Sequence, residues 1–169
     1  MHLIEPCCAP KHLLALREGI EPDKTAFFHG YGDLSFAELL PALLIRYCET
    51  EIMIVAPAIP DTAAETLQSM MRRHRAKMSG SGNLDVIQHL TLVSDLSERH
   101  SPMASLWLTD NPFAGRMTLK NVQQNDTAII LPDLALWGPM NLAYGSHFTA
   151  MATKDASTIT CLREIYGRL

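Results

Sequence analysis

The sequence predicts an α/β domain with a mixed, largely parallel sheet and helices on both faces. Three observations carry that expectation. The run EIMIVAPAI, residues 51–59, is apolar almost throughout, as in strands covered on both faces of a parallel sheet. Before residue 100, apolar runs of strand length alternate with segments whose apolar residues recur at helical spacing. After it, short strand-like segments follow one another closely, separated by Pro, Gly, Asn and Asp.

Residues 10–18 (PKHLLALRE) read as a short helix, with Pro10 near its start and Gly19 just past its end. Residues 1–23 are therefore expected to form a helical arm on a single domain spanning 1–169. Residues 25–29 offer a strand that runs into a turn at Gly30 and Gly32. The helix that follows carries strong start signals. Ser35 and Glu38 form a capping box, and Leu34 can staple onto Leu39. Leu39, Leu40, Leu43, Leu44 and Tyr47 give it an apolar face, and Pro41 predicts a kink because it removes one internal hydrogen bond.

Pro57 and Pro60 end the strand within 51–59. The next helix starts at Asp61 or Thr62, with Thr62 and Glu65 as a second capping box and Ala64, Leu67 and Met71 facing inward. Its end carries Arg72, Arg73, His74, Arg75 and Lys77, cations that favour the negative end of the helix dipole. A strand is expected at 86–93. Residues 104–110 (ASLWLTD) and 116–124 (RMTLKNVQQ) read as two more strands, separated by Asn111-Pro112 and Gly115. TAIIL (127–131) and LALWG (134–138), with only Pro132-Asp133 between them, read as a tight hairpin. HFTAMAT (147–153) is the last strand, and Ile159, Leu162, Ile165 and Leu169 share one face of a closing helix. The abrupt end inside that helical pattern is consistent with a fragment of a longer chain.

Composition narrows the function classes. Hydrophobic residues make up 47% of the 169 and charged residues 19%, below the roughly 25% charged of an average globular protein. Intrinsic disorder, which needs low hydrophobicity and high net charge, is excluded. Fourteen Lys and Arg against eighteen Asp and Glu give a net charge of -4. Nucleic-acid binding is therefore expected to be weak and salt-dependent. No apolar run approaches the roughly 20 residues needed to cross a bilayer, and the start MHLIEPCCAPKH lacks the pattern of a signal peptide. The expectation is a cytoplasmic protein with no membrane partner and with Cys7, Cys8, Cys48 and Cys161 all reduced. Cys48 and Cys161 sit in apolar helical patterns, where a free thiol behaves as a small hydrophobe. The adjacent pair Cys7-Cys8, near His2 and His12, lacks the spacing of structural zinc ligands. No metal and no other cofactor is expected.

Several residues are candidates for chemistry. FFHGYGDLSFAELLPAL, residues 27–43, resembles the oxyanion loop of α/β-hydrolases, in which an apolar strand ends in His-Gly and leads into a helix. That fold needs a nucleophile elbow at a strand-to-helix turn. Gly80-Ser81-Gly82, the nearest match, follows a helix and precedes a strand. Gly30-Tyr31-Gly32 lacks the third glycine of a dinucleotide fingerprint. What remains is an alternative reading, a small hydrolase-like enzyme using His29 and a carboxylate such as Asp33 or Asp133. Arg72 and Arg75 share a helix face and are candidates for phosphate contact.

The most informative region is 124–141, QNDTAIILPDLALWGPMN: strand, tight turn, strand, then Gly-x-x-Asn. It resembles the phospholipase D superfamily, whose motif H-x-K-x-x-x-x-D is followed by a hairpin and G-S-x-N. In that family the histidine is a nucleophile on phosphorus, and the lysine and asparagine stabilise phosphate oxygens. ALLIRYCETEIMIVAPAI resembles the family's opening helix and strand, and HFTAMATKD with ITCLREIYGRL resembles its ending. The resemblance implies a phospholipase D-like fold. It also implies a partner, since members with one motif per chain pair two copies across a two-fold axis: a homodimer, or a second phospholipase D-like domain.

The departures from the motif decide the expected function. Anchoring on Gly138 and Asn141 puts Gln124 at the histidine position, Asp126 at the lysine position, Leu131 at the aspartate position and Pro139 at the serine position. Sliding the register to Asp133 puts Asp126 and Ala128 at the histidine and lysine positions. No H-x-K occurs anywhere, and Asp126 brings a negative charge where a phosphate needs a positive one. The resemblance therefore implies a non-catalytic binding or scaffolding domain. Trp137, Asn141, Tyr144 and His147 border the cleft of the resembling fold, and Asn141 and His147 join Gln124 and Asp126 as cleft candidates.

Overall fold

The structure, a computed structural model, describes residues 3–4, 20–30, 39–40, 43, 51–77, 87–139 and 148–169. Its strands are β1 (Leu3–Ile4), β2 (Thr25–Gly30), β3 (Glu51–Ala56), β4 (His89–Ser94), β5 (Met117–Asn121), β6 (Ala128–Ile130), β7 (Ala135–Trp137) and β8 (Phe148–Thr153). The helices with described bounds are α1 (Asp61–Lys77), α2 (Pro102–Thr109) and α3 (Ala156–Gly167). All eight strands form one sheet in the order β1-β2-β8-β7-β6-β3-β4-β5.

The sheet is mixed, as expected, but it is not largely parallel. Three neighbouring pairs are parallel, β1·β2, β3·β4 and β4·β5, and the other four are antiparallel. Connection length explains the difference. Parallel neighbours need a crossover of a dozen residues or more, and β3-α1-β4-α2-β5 supplies two. Only residues 122–127 join β5 to β6. Extended, they cover about 20 Å, enough to pass the ends of β4 and β3 at about 4.8 Å each but not to return along the sheet. So β6 re-enters from the edge where β5 ended and runs antiparallel to β3.

Strand β3 sits between β4 and β6, and its residues 52–56 are all buried. Alternation splits them between two cores. Ile52, Ile54 and Ala56 pack with Ala63, Ala64, Leu67, Met70 and Met71 of α1, and with Ala104 and Trp107 of α2. Met53 and Val55 pack on the other face with Ile159 and Tyr166 of α3. Helices therefore cover both faces. Leu39, Leu40 and Leu43 are helical and buried in the first core. Ser35, Glu38 and Pro41, like the proposed helix at 10–18, lie outside the described residues. Leu3 and Ile4 belong to the sheet, paired with Phe27 and Phe28, rather than to a helical arm.

Three local expectations are corrected. Residues 104–109 are helical, not a strand: Ser101 and Pro102 start α2, and Ala104 and Trp107, one helical turn apart, are its buried residues. Leu106 and Leu108 are exposed. Helix α1 begins at Asp61, so Thr62 lies inside the first turn rather than capping it, and Asp61 Oδ1 accepts from Met103 N of α2 at 3.0 Å. On α3 Ile159 and Tyr166 are buried and Leu162 packs beside them, whereas Cys161 and Ile165, like Leu169 beyond the helix, are exposed. The aromatic ring of Tyr166 takes the inward place expected of Ile165 and Leu169, while Ile159 and Leu162 face inward as expected.

Asp155 caps α3, its Oδ2 accepting from Thr158 N at 2.8 Å. The Ser157 hydroxyl, then the Thr158 hydroxyl and N–H, hold its carboxyl down to about 2. A carboxyl depressed in the folded state adds stability that is complete above its unfolded value of about 3.9 and is lost as pH falls through about 2. Asp155→Ala should therefore lower the thermal midpoint at pH 7, and the gap to the parent should close between about pH 4 and pH 2. A gap that stays constant over that range would contradict the cap.

Candidate functional site

Register fixes which candidates share an edge of the sheet. The carboxyl ends of β2, β3, β4, β5 and β7 and the amino ends of β6 and β8 lie together, since Ala56 is opposite Ser94, Ser94 opposite Asn121, Ala128 opposite Val55 and Trp137, and Phe148 opposite Gly30. In open α/β sheets ligands bind outside the carboxyl ends of the strands, where the strand order reverses. Here the order grows from β3 to β5 and then turns back to β6.

Gln124 and Asp126 lie on the segment that makes that return, and Gly138 closes the β6–β7 pair above them, its N–H donating to Thr127 O at 3.0 Å. Gly138 has φ 142°, a conformation open to glycine and strained for other residues. Gln124 Nε2 donates to Val93 O at 3.3 Å. Asp126 Oδ2 accepts from the Tyr166 hydroxyl at 3.3 Å. Burial first, and then the Asp126 charge and hydrogen bond, push the Tyr166 phenol above its ordinary value. At neutral pH it is a donor. Lys120 Nζ reaches Gly167 O, so the end of α3 is tied to this edge twice.

A second group sits at the end of β4. Asp95 Oδ1 accepts from Ser97 N at 3.0 Å and Oδ2 from His100 Nδ1 at 2.8 Å. The Ser97 hydroxyl, the Ser97 N–H and then His100 hold the Asp95 carboxyl below its ordinary value. An ionised carboxylate only accepts, so the proton of a neutral His100 ring sits on Nδ1 and Nε2 keeps its lone pair. The His100 side chain is 46% exposed and that of Asp95 12%. Ser97 Oγ lies 3.3 Å from the same Nδ1. A serine–histidine–aspartate relay needs the hydroxyl on Nε2, so this is an Asp–His pair and not a triad. Ser101 Oγ donates to Asp95 O at 2.6 Å and accepts from Ile59 N at 2.9 Å, and Asn121 Oδ1 accepts from Leu96 N at 2.9 Å. These bonds tie the loops after β3, β4 and β5 together. Ser94 Oγ and Gln124 Oε1 are buried at this edge with no hydrogen-bond partner among the described residues.

No family model and no curated protein matches the sequence. Among solved structures, the chain is similar in fold to TrmBL2, an archaeal chromatin protein whose structure shows a novel mode of DNA binding. The match covers 94% of this chain and 57% of that one, with a TM-score of 0.50 and 14% identity. Such a likeness concerns the fold alone.

The edge sorts the residues singled out in the sequence. Gln124 and Asp126 are on it, and so is the end of β2 that contains His29. Asp133 is exposed in the β6–β7 turn, at the end of the sheet opposite the carboxyl end of β2. A hairpin turn lies a strand length from its open end. Arg72, exposed, and Arg75 are on the second half of α1, which runs back from the edge: Met71 O accepts from Arg116 beside the start of β5. They are not brought to Gln124 and Asp126. Asp33, Asn141, Tyr144 and His147 lie outside the described residues. Asp95 and His100 were missed. Their sequence signal was a polar D-x-S-x-x-H stretch directly after an apolar strand. Among the described residues no three His, Cys, Asp or Glu side chains come together to hold a metal ion, and no helix is long and apolar enough to cross a membrane.

Proposed function

We propose that this chain is a non-catalytic phospholipase D-like binding or scaffolding domain. The observation that carries the reading is the chemistry at the hairpin's open end. The position that would hold the lysine is Asp126, bonded by Tyr166, and the position that would hold the histidine is Gln124, bonded to the β4 backbone. Gln124 carries no nucleophile for phosphorus, and Asp126, in the place of a cation, repels a phosphate. The two buried oxygens without partners, Ser94 Oγ and Gln124 Oε1, support binding at this edge, because buried polar groups are nearly always satisfied by a partner, a water or a ligand. The scaffolding half of the reading carries with it the pairing of two copies, which sedimentation would report as a dimer.

A second reading, a hydrolase-like α/β enzyme, is favoured by the Asp95–His100 pair, a base with its outer nitrogen free of hydrogen bonds among the described residues. One assay separates them. Bis-p-nitrophenyl phosphate should show no turnover above background. Turnover lost in Asp126→Ala or Gln124→Ala would overturn the first reading. A fall of about 10²–10⁴-fold in His100→Ala, with Asp126→Ala unaffected, would establish the second. The DNA binding of the fold neighbour extends the same test. At net charge -4, duplex DNA should bind in the micromolar range or weaker and respond steeply to salt. Nanomolar binding at physiological salt would contradict this assignment.

A further inference from the structure

The start of α1 and the outer side of α2 line an open groove of about 620 Å³, whose lining includes neither Gln124 nor Asp126. Pro102, Met103 and Leu106 supply its apolar lining. Leu106 is 66% exposed, so its side chain is available to a partner. Three carboxylates, Asp61, Glu65 and Glu98, line it, and no Lys or Arg does among the described residues. Asp61 accepts from Met103 N, a hydrogen bond that joins the starts of the two helices beside the groove.

We propose that this groove is a docking site for a basic amphipathic helix of another protein. An amphipathic helix presents apolar anchors at i, i+3 or i+4 to a groove, with its polar flanks outward. Here Pro102, Met103 and Leu106 would take the anchors, and the carboxylates would pair with Lys or Arg on the flanks. Helix α2 offers eight residues, about 12 Å of length, so the contact spans about two turns of a partner helix. Charge complementarity selects the occupant. An acidic or neutral helix would leave Glu65 and Glu98 facing like charge or nothing, whereas a basic one is drawn in and held in register. The groove does not use the residues of the proposed function and stands independently of it.

The test uses the full chain and a fluorescein-labelled amphipathic peptide of Leu and Lys, with its Leu/Glu counterpart as control, read by anisotropy at physiological salt. Screening there limits general attraction to a net-negative protein to about 8 Å. The Leu/Lys peptide should bind and the Leu/Glu peptide should not. Leu106→Ser, Glu65→Lys and Glu98→Lys should each weaken binding by about tenfold, while Glu164→Lys, on exposed α3, should leave it unchanged. All four positions are on the surface, so folding is preserved. Absence of binding would overturn the proposal. So would an equal loss in Glu164→Lys, or no effect of Leu106→Ser, since either outcome means attraction to net charge rather than a groove.

Discussion

Ile54→Ala should lower the unfolding free energy by about 2–5 kcal/mol. Ile54 is fully buried on the central strand β3, with Leu92 opposite on β4 and Ile129 opposite on β6. It belongs to the core under α1 and α2. Removing its outer carbons loses their transfer energy, and the strands on both sides are hydrogen-bonded and cannot close the void. Val55→Ala, directed at the other face and the α3 core, should cost about 1–3 kcal/mol because fewer atoms leave. Urea denaturation of both variants decides whether the sheet is covered on both faces. An edge strand would spare one of the two, and an unmoved midpoint in either variant would contradict the layered architecture.

Ser101→Ala should cost about 1–3 kcal/mol, large for the loss of one oxygen. The Ser101 hydroxyl is wholly buried and serves two backbone groups: it accepts from Ile59 N, after β3, and donates to Asp95 O, after β4. Alanine leaves a donor and an acceptor unpaired in a dry place, and the cost is their desolvation rather than the mean worth of a hydrogen bond. The same bond holds the backbone that aims Asp95 at His100. Amide exchange at Ile59 should therefore quicken along with the fall in midpoint. Ser101→Thr, which keeps the hydroxyl, should lose less. If Ser101→Ala leaves both the midpoint and the Ile59 exchange unchanged, the hydroxyl does not join these loops.

What the sequence by itself determined are the elements whose own side chains record their surroundings. The unbroken apolar run of β3 requires cover on two faces, and it has it. Two residues between TAIIL and LALWG force an antiparallel turn, and β6 and β7 pair so. Ala64, Leu67 and Met71 at helical spacing mark the inward side of α1, and all three are buried. The segment ASLWLTD misled because a short apolar run bounded by turn residues fits a strand and a short helix equally well. There the start at Ser101-Pro102 and the burial of Ala104 and Trp107 decided. Only the tertiary structure decided the strand order and hence which polar residues meet. Periodicity is a local signal, while the neighbours of a strand depend on how distant segments close a common core. The return of residues 122–127 across two strand ends brings Gln124 to Val93, 31 residues away in sequence, and Asp126 to Tyr166, 40 residues away. The same closure separates Arg72 and Asp133 from that edge, because a helix following β3 must run back along the sheet and a hairpin turn must lie at its far end.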